Sequence, residues 1–165
     1  MAELTKLESK IGEVTGLAMA AQAATKKVTG LAEEDGESEL VAALERMHEQ
    51  AAETEERCVA LADTFDGKKT AILEEARATK AKGAEMMATY LDADADALDG
   101  FEFLTMAEAG EVSHWSVLGT LNETAGDKDI AALVDWALPI QQAHLQGVMD
   151  ASRELAAKED PSDPA

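Results

Sequence analysis

The stretch "LVAALERMHEQAAETEERCVALADTF" (40–65) decides the fold class, because its core-type residues recur with alternating spacings of four and three. That spacing puts them on one face of an α-helix and is typical of a helix packed in a bundle. These core-facing positions are Leu40, Leu44, Met47, Ala51, Thr54, Cys58, Leu61 and Phe65. The stretch therefore predicts a long amphipathic helix.

The rest of the chain repeats this pattern between turn-forming segments such as "EEDGES" (33–38) and "AGDKD" (125–129). Alanine, leucine and methionine dominate the apolar residues, only 4% of the residues are aromatic, and there are three prolines, as expected of a helical protein. The predicted helices cover about residues 3–32, 38–65, 70–91, 99–124 and 128–158. We expect an antiparallel four-helix bundle with one additional helix, at 70–91, which crosses over or packs on one side. A single domain would span 1–158 and a disordered acidic tail would span 159–165.

The charge of the chain disfavours two classes of partner. A net charge of −20 offers no positive surface to nucleic acid or to an anionic membrane. One cysteine cannot form an internal disulfide, and no run approaches the roughly 18 apolar residues of a membrane span. The N-terminus also lacks the apolar segment of a signal peptide. We expect a cytoplasmic protein without a nucleic-acid or membrane partner.

Two polar residues of the fourth helix fall at predicted core positions, within "EAGEVSHWSVLGTLNE" (108–123). The three-four pattern in this helix runs through Leu104, Ala107, Glu111, His114, Leu118 and Leu121. A carboxylate in a core is costly unless it is paired, hydrogen-bonded or bound to a metal. Glu111 and His114 are therefore candidate site residues.

The fifth helix adds a second histidine to this face. Its pattern runs through Leu133, Ala137, Ile140, His144, Gly147, Ala151 and Leu155. His144 is therefore predicted to point inward, with Gln141 beside the core face. If the fourth and fifth helices are antiparallel, His114 and the pair Gln141/His144 would lie at positions along the helix axes that differ by roughly 6 Å. Glu111, His114, His144 and Gln141 therefore predict one of two arrangements: a metal-free buried polar network, or a metal site with iron, manganese or zinc as candidate ions.

A second Glu-x-x-His pair, Glu45 and His48, occurs in the second helix. In the predicted register His48 flanks the core face and Glu45 points away. The pair is a second candidate metal site, and a solvated helix face is its simpler interpretation.

The acidic segment Asp92-x-Asp94-x-Asp96 has the spacing with which a calcium loop begins. Such a loop needs glycine at its sixth position and glutamate at its twelfth, where this chain has Ala97 and Phe103. Aspartates that cap the start of the fourth helix are the simpler interpretation.

Two segments resemble the YciF-type branch of the ferritin-like superfamily: "AETEERCVALADTF" (52–65) in the second helix and "GEVSHWSVLGTL" (110–121) in the fourth. The resemblance covers roughly residues 10–155. It implies a five-helix arrangement that contains a four-helix bundle, often dimeric and linked with bacterial stress responses. Sites of the superfamily hold two iron or manganese ions.

The resemblance implies only part of a ligand set. Glu111 matches a ligand glutamate, and His114 stands where the branch has a second ligand-type residue. Gln141 stands where a glutamate is expected, with His144 three residues later.

The other expected ligands are missing. The second helix has Gln50 at the expected histidine position and Met47 at the position of its partner, and the first helix has Ala20 or Ala21 where a glutamate is expected. Too few charged donors remain for a dimetal centre. Two histidines and one glutamate could still hold a single zinc or iron ion.

Three functions follow as hypotheses. The first is a homodimeric ferritin-like bundle protein, stress-related, with a reduced metal site and a binding or structural role. The second is a metal-binding protein or metalloenzyme with a Glu/His/His site. The third is an acidic assembly or cargo protein. No substrate and no catalytic residue is predicted.

Overall fold

The computed structural model describes residues 2–164, and within that range the chain forms five α-helices and no β-strand. The helices are α1 (Lys6–Glu34), α2 (Ser38–Ala62), α3 (Lys69–Tyr90), α4 (Ala97–Ala125) and α5 (Lys128–Ala156). The all-α prediction is confirmed, and each helix lies close to its predicted position. Residues 157–164 are exposed and lie outside any helix, whereas Met1 and Ala165, part of the predicted domain and tail, lie outside the described residues.

Polar side chains fix where two of the helices begin. Thr5 caps α1, and its hydroxyl accepts from the Glu8 amide while the Glu8 carboxylate accepts from the Thr5 amide. Asp96 and Asp99 form the same reciprocal capping box at the start of α4. Each box satisfies two amides at the helix start. Asp96, the last aspartate of the acidic segment before α4, is thus a helix cap, as predicted.

The turns before α3 and after α4 need a left-handed residue. Gly67 has φ 67° and Gly126 has φ 71°, values that glycine adopts without a steric penalty. The buried Asn122 closes the second turn: its amide nitrogen donates to the Asp127 carbonyl at 2.7 Å, and its oxygen accepts from the Asp127 amide at 3.1 Å. This turn makes α4 and α5 antiparallel neighbours.

Contacts between helices fix the remaining directions. Early α1 faces late α4, since His114 Nδ1 lies 2.9 Å from Glu13 Oε2. Late α1 faces early α2, since His48 Nδ1 lies 3.0 Å from the Gln22 carbonyl oxygen. Early α2 faces late α5, where Lys158 Nζ lies 2.5 Å from a Glu37 carboxylate oxygen. Each of α1 and α5 is therefore antiparallel to both α2 and α4.

The helix α3 runs parallel to α1 and packs closely on it. A Cβ placed on Gly12 would lie 2.7 Å from the Ile72 carbonyl oxygen, and one on Gly16 would lie 2.3 Å from the Ala76 carbonyl oxygen. These distances are below any normal van der Waals contact, so glycine at both positions permits the approach. Along the chain, α3 joins the end of α2 to the start of α4, which run in the same direction.

The apolar core consists of two clusters, one toward each end of the helices. One contains Val28, Leu44, Phe101 and Val148 among others, and the second contains Ile11, Cys58, Trp115 and Ala137 among others. Cys58 is a buried free thiol, as the sequence predicts for a small core residue.

No helix between residues 2 and 164 combines the length and the apolar character needed to cross a membrane.

Candidate functional site: an interior acid cluster

Polar side chains from three helices lie between the two apolar clusters, and we call this group the acid cluster. Its members are Glu108 and Glu111 on α4, Gln141 and His144 on α5, and Gln50 on α2. The side chains from α4 and α5 are almost inaccessible, with exposures of 2% for Glu108, 3% for Glu111, 2% for Gln141 and 8% for His144. Burying four polar groups together costs free energy unless each finds a hydrogen-bond or ionic partner, so the acid cluster is a candidate functional site.

The register of α4 places both carboxylates inside. Its core positions are Phe101, Leu104, Glu108, Glu111, Trp115, Leu118 and Asn122, again with spacings of three and four. The prediction that Glu111 faces the core is confirmed. Glu108, one turn earlier, was not predicted, because Ala107 was assigned to that core position and is only half-buried.

The prediction that His114 faces the core is wrong. Its side chain is 36% exposed, and its Nδ1 lies 2.9 Å from Glu13 Oε2 and 3.3 Å from Lys10 Nζ on α1. The physical reason is the register: the fully buried Trp115 occupies the inward position, and the neighbouring His114 is turned toward the helix edge. The predicted metal set of Glu111, His114 and His144 is therefore not brought together.

His144 points inward as predicted, and Gln50 on α2 determines which ring nitrogen of His144 carries the hydrogen. Its Nε2 lies 2.6 Å from Gln50 Oε1. Because an amide oxygen only accepts, Nε2 donates the hydrogen and a neutral His144 presents a lone pair on Nδ1. That Nδ1 lies 3.7 Å from Glu108 Oε2. Gln141, predicted to lie beside the core face, is itself buried within it.

The cluster contains more acceptors than donors. Three of its buried oxygens have no hydrogen-bond partner in residues 2–164: Glu108 Oε2, Glu111 Oε2 and Gln141 Oε1. No lysine or arginine of the described chain forms an ion pair with either carboxylate, and the nearby imidazole is the only basic group that approaches one.

This environment changes the proton affinities of the cluster. Burial raises the pKa of Glu108 to about 8. Burial also raises the pKa of Glu111 well above its ordinary value, with a further increase from the Glu108 charge. Burial lowers the pKa of His144. Without another ligand the cluster thus favours protonated carboxyls beside a neutral imidazole.

The second candidate pair does not form a site of this kind. Glu45 is exposed, as predicted, and half-buried His48 donates from Nδ1 to the Gln22 carbonyl oxygen at 3.0 Å. His48 therefore serves to join α2 to α1.

Carboxylates, a neutral imidazole nitrogen and an amide oxygen are donors that zinc, manganese and iron accept. Across residues 2–164, however, no three His, Cys, Asp or Glu side chains are arranged so that they could hold a metal ion. The acid cluster has suitable donor types, and its side chains would have to rotate to meet at one ion. Metal binding by these helices stays a prediction.

Comparison of the chain with protein-family models, with curated proteins and with solved structures finds no match. No family is shown for the chain by these comparisons.

Proposed function

We propose that the chain is a ferritin-like four-helix bundle protein with an additional crossover helix, and that it acts as a cation-binding protein through a reduced metal site. Three features support the architecture: the alternating directions of α1, α2, α4 and α5, the position of α3 between two helices of the same direction, and a polar layer between two apolar clusters. Bundles build their ligand sites in such a layer, from side chains on facing helices.

The observation that carries the proposal is the pair of buried acid groups, Glu108 and Glu111, without a lysine or arginine partner. Glu108 and Glu111 on α4 each keep one oxygen unpaired, and Gln141 on α5, one turn before His144, has a third unpaired acceptor. A buried acceptor without a donor costs about 1–3 kcal/mol, and more when it is charged. A bound cation would offset this cost, whereas an anion or a second acceptor would increase it.

The site has too few ligands for a dimetal centre. Dimetal bundles take carboxylates from all four helices. At the level of the acid cluster, α1 offers small side chains such as Ala20 and Ala21, and α2 offers the amide of Gln50. The proposal is therefore a binding role and not dimetal catalysis.

A single metal ion is the second candidate occupant, and one observation favours it. His144 directs a lone pair from Nδ1 toward the carboxylates while Gln50 holds its other nitrogen. A partner on the second nitrogen is the usual support of a metal-binding histidine. In this version Glu108, Glu111 and His144 would hold zinc, manganese or iron, with Gln141 Oε1 as a further donor.

The homodimer, the stress-related role and the acidic assembly hypothesis remain predictions. Light scattering across a range of salt concentrations separates the homodimer from the assembly hypothesis. A dimer whose mass does not change with salt supports the homodimer, and large salt-dependent particles support an assembly protein.

The test of the proposed function is a titration of untagged, metal-stripped protein with Zn²⁺, Mn²⁺, Fe²⁺ and ammonium, followed by calorimetry and elemental analysis. We expect one cation per chain, lost when Glu108→Gln and Glu111→Gln are combined. Glu102→Gln is the matched control, because Glu102 lies on the same helix and is exposed. Undiminished binding in the double variant, or no binding of any of these cations by the wild type, would overturn the proposal.

A further inference from the structure

A cavity of about 310 Å³ lies between α1, α3 and α4, on the side of the acid cluster opposite α5. Its walls are mostly small or flexible apolar side chains. Ala20, Ala21 and Ala24 come from α1, whereas Met86 and Met87 come from α3. The cavity exists because α1 presents alanines at this level and because α3 packs on α1 but diverges from α4.

The two buried carboxylates line this cavity. Glu108 and Glu111 belong to its α4 wall, together with Phe103, Leu104 and Gly110. Each has an unpaired oxygen that a water-sized probe does not reach, and Glu108 Oε2 lies 3.7 Å from His144 Nδ1 on α5, so the carboxyl groups must turn toward the cavity to meet a ligand there. A space with apolar walls and two unpaired acid groups matches a ligand that is apolar along its length and positively charged at one end.

We propose that this cavity binds a small aliphatic amine, with its hydrocarbon part between the alanines and methionines and its ammonium group at Glu108 and Glu111. The inference rests on the proposed function that the acid cluster takes a cation, and it names the chemical class of that cation. An ammonium group donates up to three hydrogen bonds, so it can serve both carboxylates at once.

The basic residues that line the cavity do not occupy the place proposed for the ammonium group. Among its lining residues the basic ones are Lys80, which is exposed, and His114, whose ring already faces Glu13. Neither forms an ion pair with the buried carboxyl groups, so no basic side chain of the lining competes with an ammonium group that displaces their protons. A carboxylic acid ligand would instead bring a third acid group to the pair.

The size of the cavity limits the ligand. A volume of 310 Å³ equals that of about ten water molecules in the liquid, which corresponds to an amine of about ten non-hydrogen atoms. Each buried methylene adds roughly 0.8 kcal/mol, so affinity should rise about fourfold per methylene until the cavity is full.

The test is calorimetric titration of the full chain with n-butylamine, n-hexylamine and n-octylamine, each paired with the alcohol of the same length. We expect affinity to increase from butylamine to hexylamine, and each alcohol to bind at least about tenfold more weakly than its amine because it lacks the charge-assisted hydrogen bonds. Equal binding of amines and alcohols would overturn the inference, because the carboxylates would then play no part.

A cavity-filling variant tests the location. Gly110 lines the cavity, and a Cβ added to it would have nothing within 4 Å, so Gly110→Leu places its side chain without a backbone clash. Gly147→Leu is the control, since Gly147 is a helical glycine on α5 with equally open space and does not line the cavity. We expect Gly110→Leu to weaken hexylamine binding at least tenfold and Gly147→Leu to leave it unchanged. The reverse result, or equal effects, would place the amine elsewhere and overturn the inference.

The two proposals fail in different ways. Binding of Mn²⁺ or ammonium that needs Glu108 and Glu111, without binding of any alkylamine, overturns the amine inference and leaves the proposed function in place. Failure of every cation and every amine to bind overturns both.

Discussion

Replacing Glu108 by glutamine should remove much of the pH dependence of stability. The Glu108 pKa is raised from 4.5 to about 8 in the folded chain, so the folded protein holds a proton that the unfolded chain releases near pH 4.5. Folding is then linked to proton binding, and the free energy of unfolding must fall as the pH rises from about 4.5 to about 8. The isosteric amide of Glu108→Gln has no such proton to lose.

The magnitude follows from the pKa. Between pH 6.5 and the Glu108 pKa of about 8 lie about 1.5 pH units, each worth about 1.4 kcal/mol, so the wild type should lose about 2 kcal/mol. For a chain of 165 residues this corresponds to a Tm lower by roughly 5 °C at pH 8.5. Glu111, whose pKa is also raised, adds to the same slope.

Two other buried groups, His144 and Cys58, contribute little to the change in stability between pH 6.5 and 8.5. The pKa of His144 is lowered, so this residue removes stability mainly below pH 6.5, where the unfolded imidazole gains a proton. Burial raises the pKa of Cys58 to about 12, so the thiol matters only above about pH 9, where the unfolded chain begins to ionise it. Neither group dominates between pH 6.5 and 8.5.

Thermal unfolding followed by circular dichroism measures the effect. We expect Glu108→Gln to match or exceed the wild-type Tm at pH 8.5 and to show a smaller fall from pH 6.5, whereas Glu102→Gln should follow the wild type. Parallel pH curves for wild type and Glu108→Gln, or a wild-type Tm that rises toward pH 8.5, would refute the reasoning.

Four further substitutions test the structure. Gly16→Ala should lower the free energy of unfolding by about 2 kcal/mol or more, because the new Cβ would lie 2.3 Å from the Ala76 carbonyl oxygen. Gly30→Ala, whose Cβ would have nothing within 4 Å, should raise the free energy of unfolding by up to about 1 kcal/mol. Urea unfolding measures both changes, and equal effects would contradict the close packing of α3 on α1. His144→Ala should lower the free energy of unfolding by about 2 kcal/mol, because it leaves the amide oxygen of Gln50 without its donor and opens a void. His114→Ala should change the free energy of unfolding by less than about 1 kcal/mol, because the side chain is 36% exposed and its pairing is at the surface; a larger loss than in His144→Ala would contradict the assignment of the inward histidine.

Most of the fold could be predicted from the sequence because it depends on local signals. Helix periodicity, the capping residues Asp96 and Asp99, and glycines such as Gly67 at turns all act within a few residues. The five helices and their approximate limits follow from these signals. The close packing of α3 on α1 does not, because Gly12 and Gly16 read as mild helix breakers until their neighbours on α3 are known.

The site was harder to predict because it depends on the phase of each helix. In α4 two patterns with spacings of three and four fit the sequence, one through Ala107 and His114 and one through Glu108 and Trp115. Volume could have decided between them: tryptophan is the largest side chain, and a core gains more by burying it than by burying histidine. Choosing the pattern through Trp115 would have predicted that Glu108 is buried beside Glu111.

The contact between His144 and Gln50 had no sequence signal of its own. It joins residues 94 positions apart on α2 and α5, and it depends on the axial offset of the two helices. Neither periodicity nor caps set that offset to the accuracy of a hydrogen bond.

The central claim is that Glu108 and Glu111 together bind a cation inside the helices, and proton counting tests it most directly. Both carboxyls have raised pKa values, so a cation that binds to them at pH 7 must displace protons. Calorimetry of Mn²⁺ and n-hexylamine binding, repeated in buffers of different ionisation enthalpy, measures that number. The account predicts release of about one proton or more per bound cation in the wild type, and no release in the combined Glu108→Gln and Glu111→Gln variant. Binding without proton release, or the same release from both proteins, would contradict it.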